Sequence, residues 1–167
     1  APVAVGLVPT APYADARAMI ALMRIELHCH TTASDGRLTP TQLIELAQLR
    51  DIRALAVTDH DTVIGHPEAL AAGERLGVRV IPGIEISALF ENKEVHVLGY
   101  GVRPTDERTR GVIASLQQVR VSRARAILDK LAALGAPIAF ERVAEMAGDG
   151  MIGRPHIARA LIEAGHV

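Results

Sequence analysis

The sequence has no tryptophan, and only two phenylalanines and two tyrosines among its 167 residues. Its core must therefore be built from Ala, Val, Leu and Ile. A single cysteine, Cys29, excludes an internal disulfide and suits a reducing cytoplasm. The formal net charge of −1 excludes a broadly basic surface for nucleic acid, leaving small anions held by a few placed arginines. No apolar run reaches the length of a membrane span, so no membrane partner is expected. The opening "APVAVGLVPTAPYADARAMIAL" is apolar but lacks a basic leading segment, so it does not read as a signal peptide. Met23 makes a natural start, and residues 1–22 are expected to be an extension of unknown role. At 49% hydrophobic and 22% charged, the rest reads as soluble and globular, with length for about one medium domain.

"MRIELHCH" reads as a strand, with Ile25, Leu27 and Cys29 on one face and Glu26, His28 and His30 on the other. "LTPTQLIELAQLRDI" reads as a helix capped by Thr39, with Pro40 first and Gln42 completing a capping box. "RALAVTD" is a short apolar strand, and "HPEALAAGERLG" a helix stopped by Gly77. "VRVIPGIEIS" is a strand pair or one bent strand, interrupted at Pro82 and Gly83, and "KEVHVLGYG" is a further strand. This alternation implies an α/β fold with a parallel sheet buried on both sides. After Pro104 the texture becomes helical: one long segment to Gly135, then "FERVAEMAG" and "RPHIARALIEAG".

Polar clusters sit where the apolar strands stop, the place where such folds gather ligands. His28 and His30, two apart on a strand, point the same way and suit one metal ion. In "VTDHDT", His60 is a candidate ligand, while Asp59 or Asp61 could orient an imidazole. Asp61 equally suits a turn that opens the next helix. Glu85 and His96 each stand between apolar neighbours and face away from them. Taken singly, an edge glutamate facing water and a buried, hydrogen-bonded histidine explain them as well. In "GRPHIARAL", Arg154 and His156 open a helix, which suits phosphate or a solvated turn. His66 and His166 read as surface or capping residues.

"ELHCHTTASDG", "AVTDHDT", "PGIEIS" and "HVLGY", in this order, resemble the PHP superfamily of polymerase and histidinol phosphatase domains. "GRPHIARAL" resembles the branch of 3′,5′-nucleotide bisphosphate phosphatases and 5′→3′ oligonucleotide exonucleases. The resemblance implies a distorted seven-stranded β/α barrel with up to three divalent ions (Mn, Fe or Zn) at its mouth. By motif, His28 and His30 would hold one ion, Glu85 would bridge to a second shared with His96, and Asp35 and His60 would hold a third. Arg154 and His156 would contact substrate phosphate, with Arg103 as a further candidate. The family pattern continues with another strand-end His and an Asp-x-His pair that this chain lacks. The chain thus resembles the amino-terminal half: residues 23–102 as part of the barrel and 103–167 as an all-helical insertion. A second chain supplying the other half is one way to complete it.

The activity so implied is hydrolysis of nucleotide bisphosphates or short oligonucleotide 5′ ends, by water activated at clustered cations. The alternatives are a phosphatase for histidinol phosphate or another small phosphomonoester, and an inactive metal-binding or assembly fragment. Cys29 points away from the His pair and is not expected to be a nucleophile.

Overall fold

The computed structural model describes residues 24–167; the expected extension and Met23 lie outside the described residues. Strands β1 (Arg24–Cys29), β2 (Ile52–Val57), β3 (Arg79–Phe90) and β4 (Lys93–Tyr100) form one sheet in that order. The pairs β1–β2 and β2–β3 are parallel, joined through helices α1 (Pro40–Leu49) and α2 (His66–Leu76). The pair β3–β4 is an antiparallel hairpin. The Tyr100 hydroxyl of β4 donates to the Leu27 carbonyl of β1 at 2.9 Å. A contact between the first and last strands means that the sheet is curled, a half-barrel rather than a flat layer.

Local chemistry sets the element ends. Thr39 Oγ1 accepts from the Gln42 N–H at 3.2 Å and Gln42 Oε1 accepts from the Thr39 N–H at 3.0 Å, the expected capping box. Helix α2 stops at Gly77, whose φ of +70° is the left-handed conformation that glycine adopts without a Cβ penalty. The "VRVIPGIEIS" segment is one bent strand, not two. Arg79–Pro82 pairs with β2, and Gly83–Phe90 pairs with β4. Pro82 stands at the change of partner, where its carbonyl accepts from the Gly101 and Val102 N–H groups at 2.8 and 3.2 Å.

Leu43, Ile44 and Ala47 of α1, Ala69 and Ala72 of α2, and Leu55 and Val57 of β2 form one core. Cys29 packs against it, away from the His pair as strand alternation requires. The expected burial of the sheet on both sides holds for β2 but not for β1. Ile25 and Leu27 are 49% and 45% exposed, because β1 is an edge strand with no helix over it among the described residues.

Helices α3 (Glu107–Ala133), α4 (Phe140–Ala147) and α5 (Arg154–Glu163) carry a second core of Ala124, Leu128, Val143, Ile157 and Ala160. Buried contacts tie it to the half-barrel. The Met151 N–H donates to the Ala33 carbonyl at 2.7 Å. Arg120 of α3, 6% exposed, donates from Nε to Asp61 Oδ2 and from Nη2 to Ser87 Oγ at 2.8 Å. No helix among the described residues is long and apolar enough to cross a membrane.

Candidate metal centre

Four strands deliver side chains to one place, though only β1 and β2 do so from their ends; Glu85 and His96 stand inside the β3–β4 hairpin, because those strands run on past them. His28 and His30 come from the end of β1, His60 from the loop after β2, Glu85 from β3 and His96 from β4. His60 is aligned beside Glu85 by an isolated parallel bridge between their backbones. His96 stands opposite Ser87 in the hairpin, two residues along from Glu85 and on its face. Asp35 arrives on the 31–36 turn, which closes through the Ser34 and Gly36 N–H groups onto the Thr31 carbonyl at 3.0 and 2.9 Å. A Cβ at Gly36 would collide with the His30 carbonyl, so the turn needs glycine there.

Glu85 is the hub, only 5% exposed. Its Oε2 lies 3.0 Å from His28 Nε2, 2.8 Å from His30 Nε2 and 3.4 Å from His60 Nδ1. Its Oε1 lies 2.9 Å from His96 Nδ1. Asp35 Oδ1 lies 2.7 Å from His30 Nδ1, and Asp35 Oδ2 lies 3.7 Å from His60 Nε2. Three donor sets result, each with atoms within 4.8 Å of one another: His28, His30 and Glu85; His30, Asp35 and His60; His60, Glu85 and His96. These are the expected groupings, except that His30 and His60 each stand in two sets.

Hydrogen bonding alone does not satisfy this cluster. A neutral imidazole carries one N–H. If His30 gives it to Asp35 through Nδ1, its Nε2 turns a lone pair onto Glu85 Oε2 and sits 3.0 Å from His28 Nε2. His60 Nδ1 is buried with no hydrogen-bond partner. A second proton on His30 or a cation relieves the first conflict, but a cation also serves the orphaned His60 Nδ1, and imidazole with carboxylate is a donor set that Zn²⁺, Mn²⁺ and Fe²⁺ accept. The ionisation equilibria divide: those of His60, Asp35 and Glu85 favour the ligating forms, whereas that of His30 favours its proton, which a cation would have to displace. The hydrogen bond to Asp35 raises the His30 pKa, and the reciprocal bond holds Asp35 down at about 2. Burial lowers the pKa of His60, favouring the neutral, ligating form. Burial opposes ionisation of Glu85, but the His28 hydrogen bond and the nearby imidazoles outweigh it and keep the carboxylate ionised.

The remaining expected residues behave differently. Asp59 does not orient an imidazole. Its buried carboxylate accepts from the Thr31 N–H, Thr31 Oγ1 and Ser34 Oγ at 2.7, 2.8 and 2.6 Å, so it fixes the turn that carries Asp35. His156 is 4% exposed and its Nδ1 accepts from the Gly153 N–H at 3.0 Å, tying down the start of α5. Arg154 borders a cleft shared with Asp35, His60 and His96. Arg103 lies apart, in a groove of about 530 Å³ with Ile84 and Ile86, on the face of β3 opposite Glu85. His66 is buried rather than on the surface, and its Nε2–H donates to the Gly83 carbonyl at 2.8 Å.

Three residues near the centre carried no site reading from sequence: Arg120, Glu94 and Arg123. Arg120 left one readable trace. It shares a helical stripe with Ala124 and Leu128, the three buried residues of α3, and a charge on that stripe demands a buried partner.

A curled α/β half-barrel whose four strands gather a histidine–carboxylate cluster defines a class of metal-centred domain. The chain belongs to the PHP domain family, whose model matches residues 26–137. It is 38% identical over 144 residues to a 5′-3′ exoribonuclease of Haemophilus influenzae, covering 86% of this chain and 52% of that protein. It is 36% identical over 147 residues to a 3′,5′-nucleoside bisphosphate phosphatase of Chromobacterium violaceum, covering 87% of this chain and 52% of that protein. A solved structure from Bifidobacterium adolescentis, assigned as a metal-dependent phosphoesterase, superposes with a TM-score of 0.80 at 34% identity. That match covers 87% of this chain and 52% of the other. The chain spans about half the length of the curated relatives it matches.

Proposed function

We propose that the protein serves a metal-dependent phosphoesterase acting on 3′,5′-bisphosphate nucleotides or short oligonucleotide 5′ ends. The carrying observation is the convergence of four imidazoles and the Asp35 carboxylate around Glu85, with the buried His60 Nδ1 left without a hydrogen-bond partner. His28, His30, Asp35, His60, Glu85 and His96 would hold up to three divalent ions. Such ions, when bound, supply Lewis acidity toward phosphate oxygens and acidify a water. Arg154, at the rim of the same cleft, contributes a guanidinium suited to phosphate oxygens. His156 shapes the helix start that presents Arg154. Residues 23–102 would form the amino-terminal part of the barrel and 103–167 its helical insertion. A further segment or a second chain would supply the remaining barrel, and the lone Cys29 suits a cytoplasmic setting. The two relatives' names support a nucleotide substrate over histidinol phosphate.

The test pairs metal analysis with phosphate release. The protein is dialysed against Mn²⁺ or Zn²⁺, its metal content is measured, and nucleoside 3′,5′-bisphosphate and 5′-phosphorylated oligonucleotides are supplied. Bound metal with phosphate or mononucleotide release, both lost in His30→Ala, is the expected result. Wild-type protein that binds no divalent ion contradicts the reading. Metal binding without turnover leaves a metal-binding module and removes the catalytic claim.

A further inference from the structure

Glu94 stands two residues before His96 on β4, so its carboxylate lies on the face that carries the cluster. Its Oε1 is 3.5 Å from His96 Nε2. Two arginines from separate helices converge on it. Arg154, the first residue of α5, donates from Nη1 to Oε2 at 3.0 Å and from Nη2 to Oε1 at 3.2 Å. Arg123 of α3 donates from Nη1 to Oε1 at 2.9 Å. One carboxylate thus faces two guanidiniums at the lip of the metal-donor cleft, which Asp35, His60 and His96 also line.

Resting on the phosphoesterase reading, which already gives Arg154 to phosphate, we infer that Arg123 joins it as a second guanidinium and that Glu94 is an internal anion which a substrate phosphate displaces. The argument is one of charge and geometry. A substrate with two phosphates needs a second anion site besides the one at the metal donors. Two guanidiniums from different helices present several N–H donors to one point, the arrangement that binds phosphate oxygens. A carboxylate offers two oxygens and one charge, whereas a phosphate monoester dianion offers three oxygens and two charges. All three side chains are solvent-accessible, with Arg123, Glu94 and Arg154 at 32%, 30% and 59%, so a solute reaches them. Ion pairs this exposed are weakly held and exchange readily. In this account Glu94 keeps the arginines apart and oriented in the free protein, and sets a threshold that weak anions do not pass. Nothing in the sequence order marks the trio, since residues 94, 123 and 154 meet only in the fold.

The inference is tested by binding, without metal and without turnover. Inorganic phosphate and a nucleoside 3′,5′-bisphosphate are titrated calorimetrically into the EDTA-treated protein at low ionic strength. Glu94→Gln, nearly isosteric, removes the internal competitor and is expected to tighten both ligands by about threefold to tenfold. Arg123→Gln and Arg154→Gln are each expected to weaken them by a similar factor. Glu74→Gln, an exposed helix position, makes the same change in net charge and is expected to leave binding unaltered. If Glu94 were a fixed brace for Arg154, Glu94→Gln would weaken binding instead, and that result overturns the inference. Unchanged affinity in Arg123→Gln, or no phosphate binding even in Glu94→Gln, also overturns it. Because metal content is measured separately, failure here is distinct from failure of the metal centre.

Discussion

Replacing Arg120 by methionine leaves the Asp61 carboxylate in the interior without the guanidinium that faces it. The side chains of Arg120 and Asp61 are 6% and 1% exposed, so neither charge is repaid by solvent. Asp61 Oδ1 still accepts from the Ser87 N–H at 2.8 Å, but one backbone donor does not neutralise a buried carboxylate. Ser87 Oγ and the Ile152 carbonyl lose their Arg120 donors as well. Removing one partner from such a buried pair costs about 3–5 kcal/mol. For a chain of this size that corresponds to a fall in Tm of roughly 6–20 °C. The double variant separates lost packing from stranded charge. Asp61 has a φ of +53°, which asparagine tolerates, so Asp61→Asn keeps the backbone and discharges the site. Combined with Arg120→Met, it should recover about 1–3 kcal/mol of the loss. Urea unfolding of the wild type, both single variants and the double variant provides the measurement. A loss under about 1 kcal/mol in Arg120→Met, or no recovery in the double variant, would refute the claim that this pair clamps the helices to the half-barrel.

Gly150→Ala should destabilise the protein by about 1–3 kcal/mol and loosen metal binding, because a Cβ there would sit 2.6 Å from the Thr32 carbonyl oxygen on the turn leading to Asp35. Metal retention against a graded chelator reads the second effect. Thr39→Ala removes the capping box of α1 and should cost about 1 kcal/mol without changing metal content. In metal-free protein the His30–Asp35 pair makes stability depend on pH. The raised His30 pKa stabilises below 6.5 and is lost as pH rises through the higher folded value; the lowered Asp35 pKa stabilises above 3.8 and is lost as pH falls toward about 2. The two overlap between 3.8 and 6.5, and urea midpoints in that window should drop in Asp35→Asn relative to pH 8. With divalent ions present the trend reverses at the acid end, because protonated imidazoles release metal, and uptake should liberate protons.

The convergence of these candidate donors was legible because strand alternation is local. His28 and His30, Glu85 flanked by isoleucines, and His96 flanked by valines each announce a side chain turned from the apolar layer. The capping box at Thr39 and the stop at Gly77 were legible for the same reason: their partners lie within a few residues. The bend in β3 was only half legible, since Pro82 signals an interruption but not that one strand changes partner there. Long-range pairs left no mark of which residue the partner is, even where Arg120 on an apolar stripe signals that one exists. Arg120 meets Asp61 across 59 positions, and Arg154 meets Glu94 across 60. Asp59 carries the right chemistry beside His60, yet the 31–34 turn, brought close by the β1–β2 pairing, captures its carboxylate instead.

The central claim is that these donors share divalent ions, and anomalous diffraction from Zn²⁺-soaked crystals tests it most directly. The account predicts zinc peaks about 2.0–2.2 Å from ring nitrogens of His28 and His30 and from a Glu85 oxygen, with further density among Asp35, His60 and His96. Crystals in which those side chains keep their direct contacts and the zinc signal lies elsewhere would contradict it.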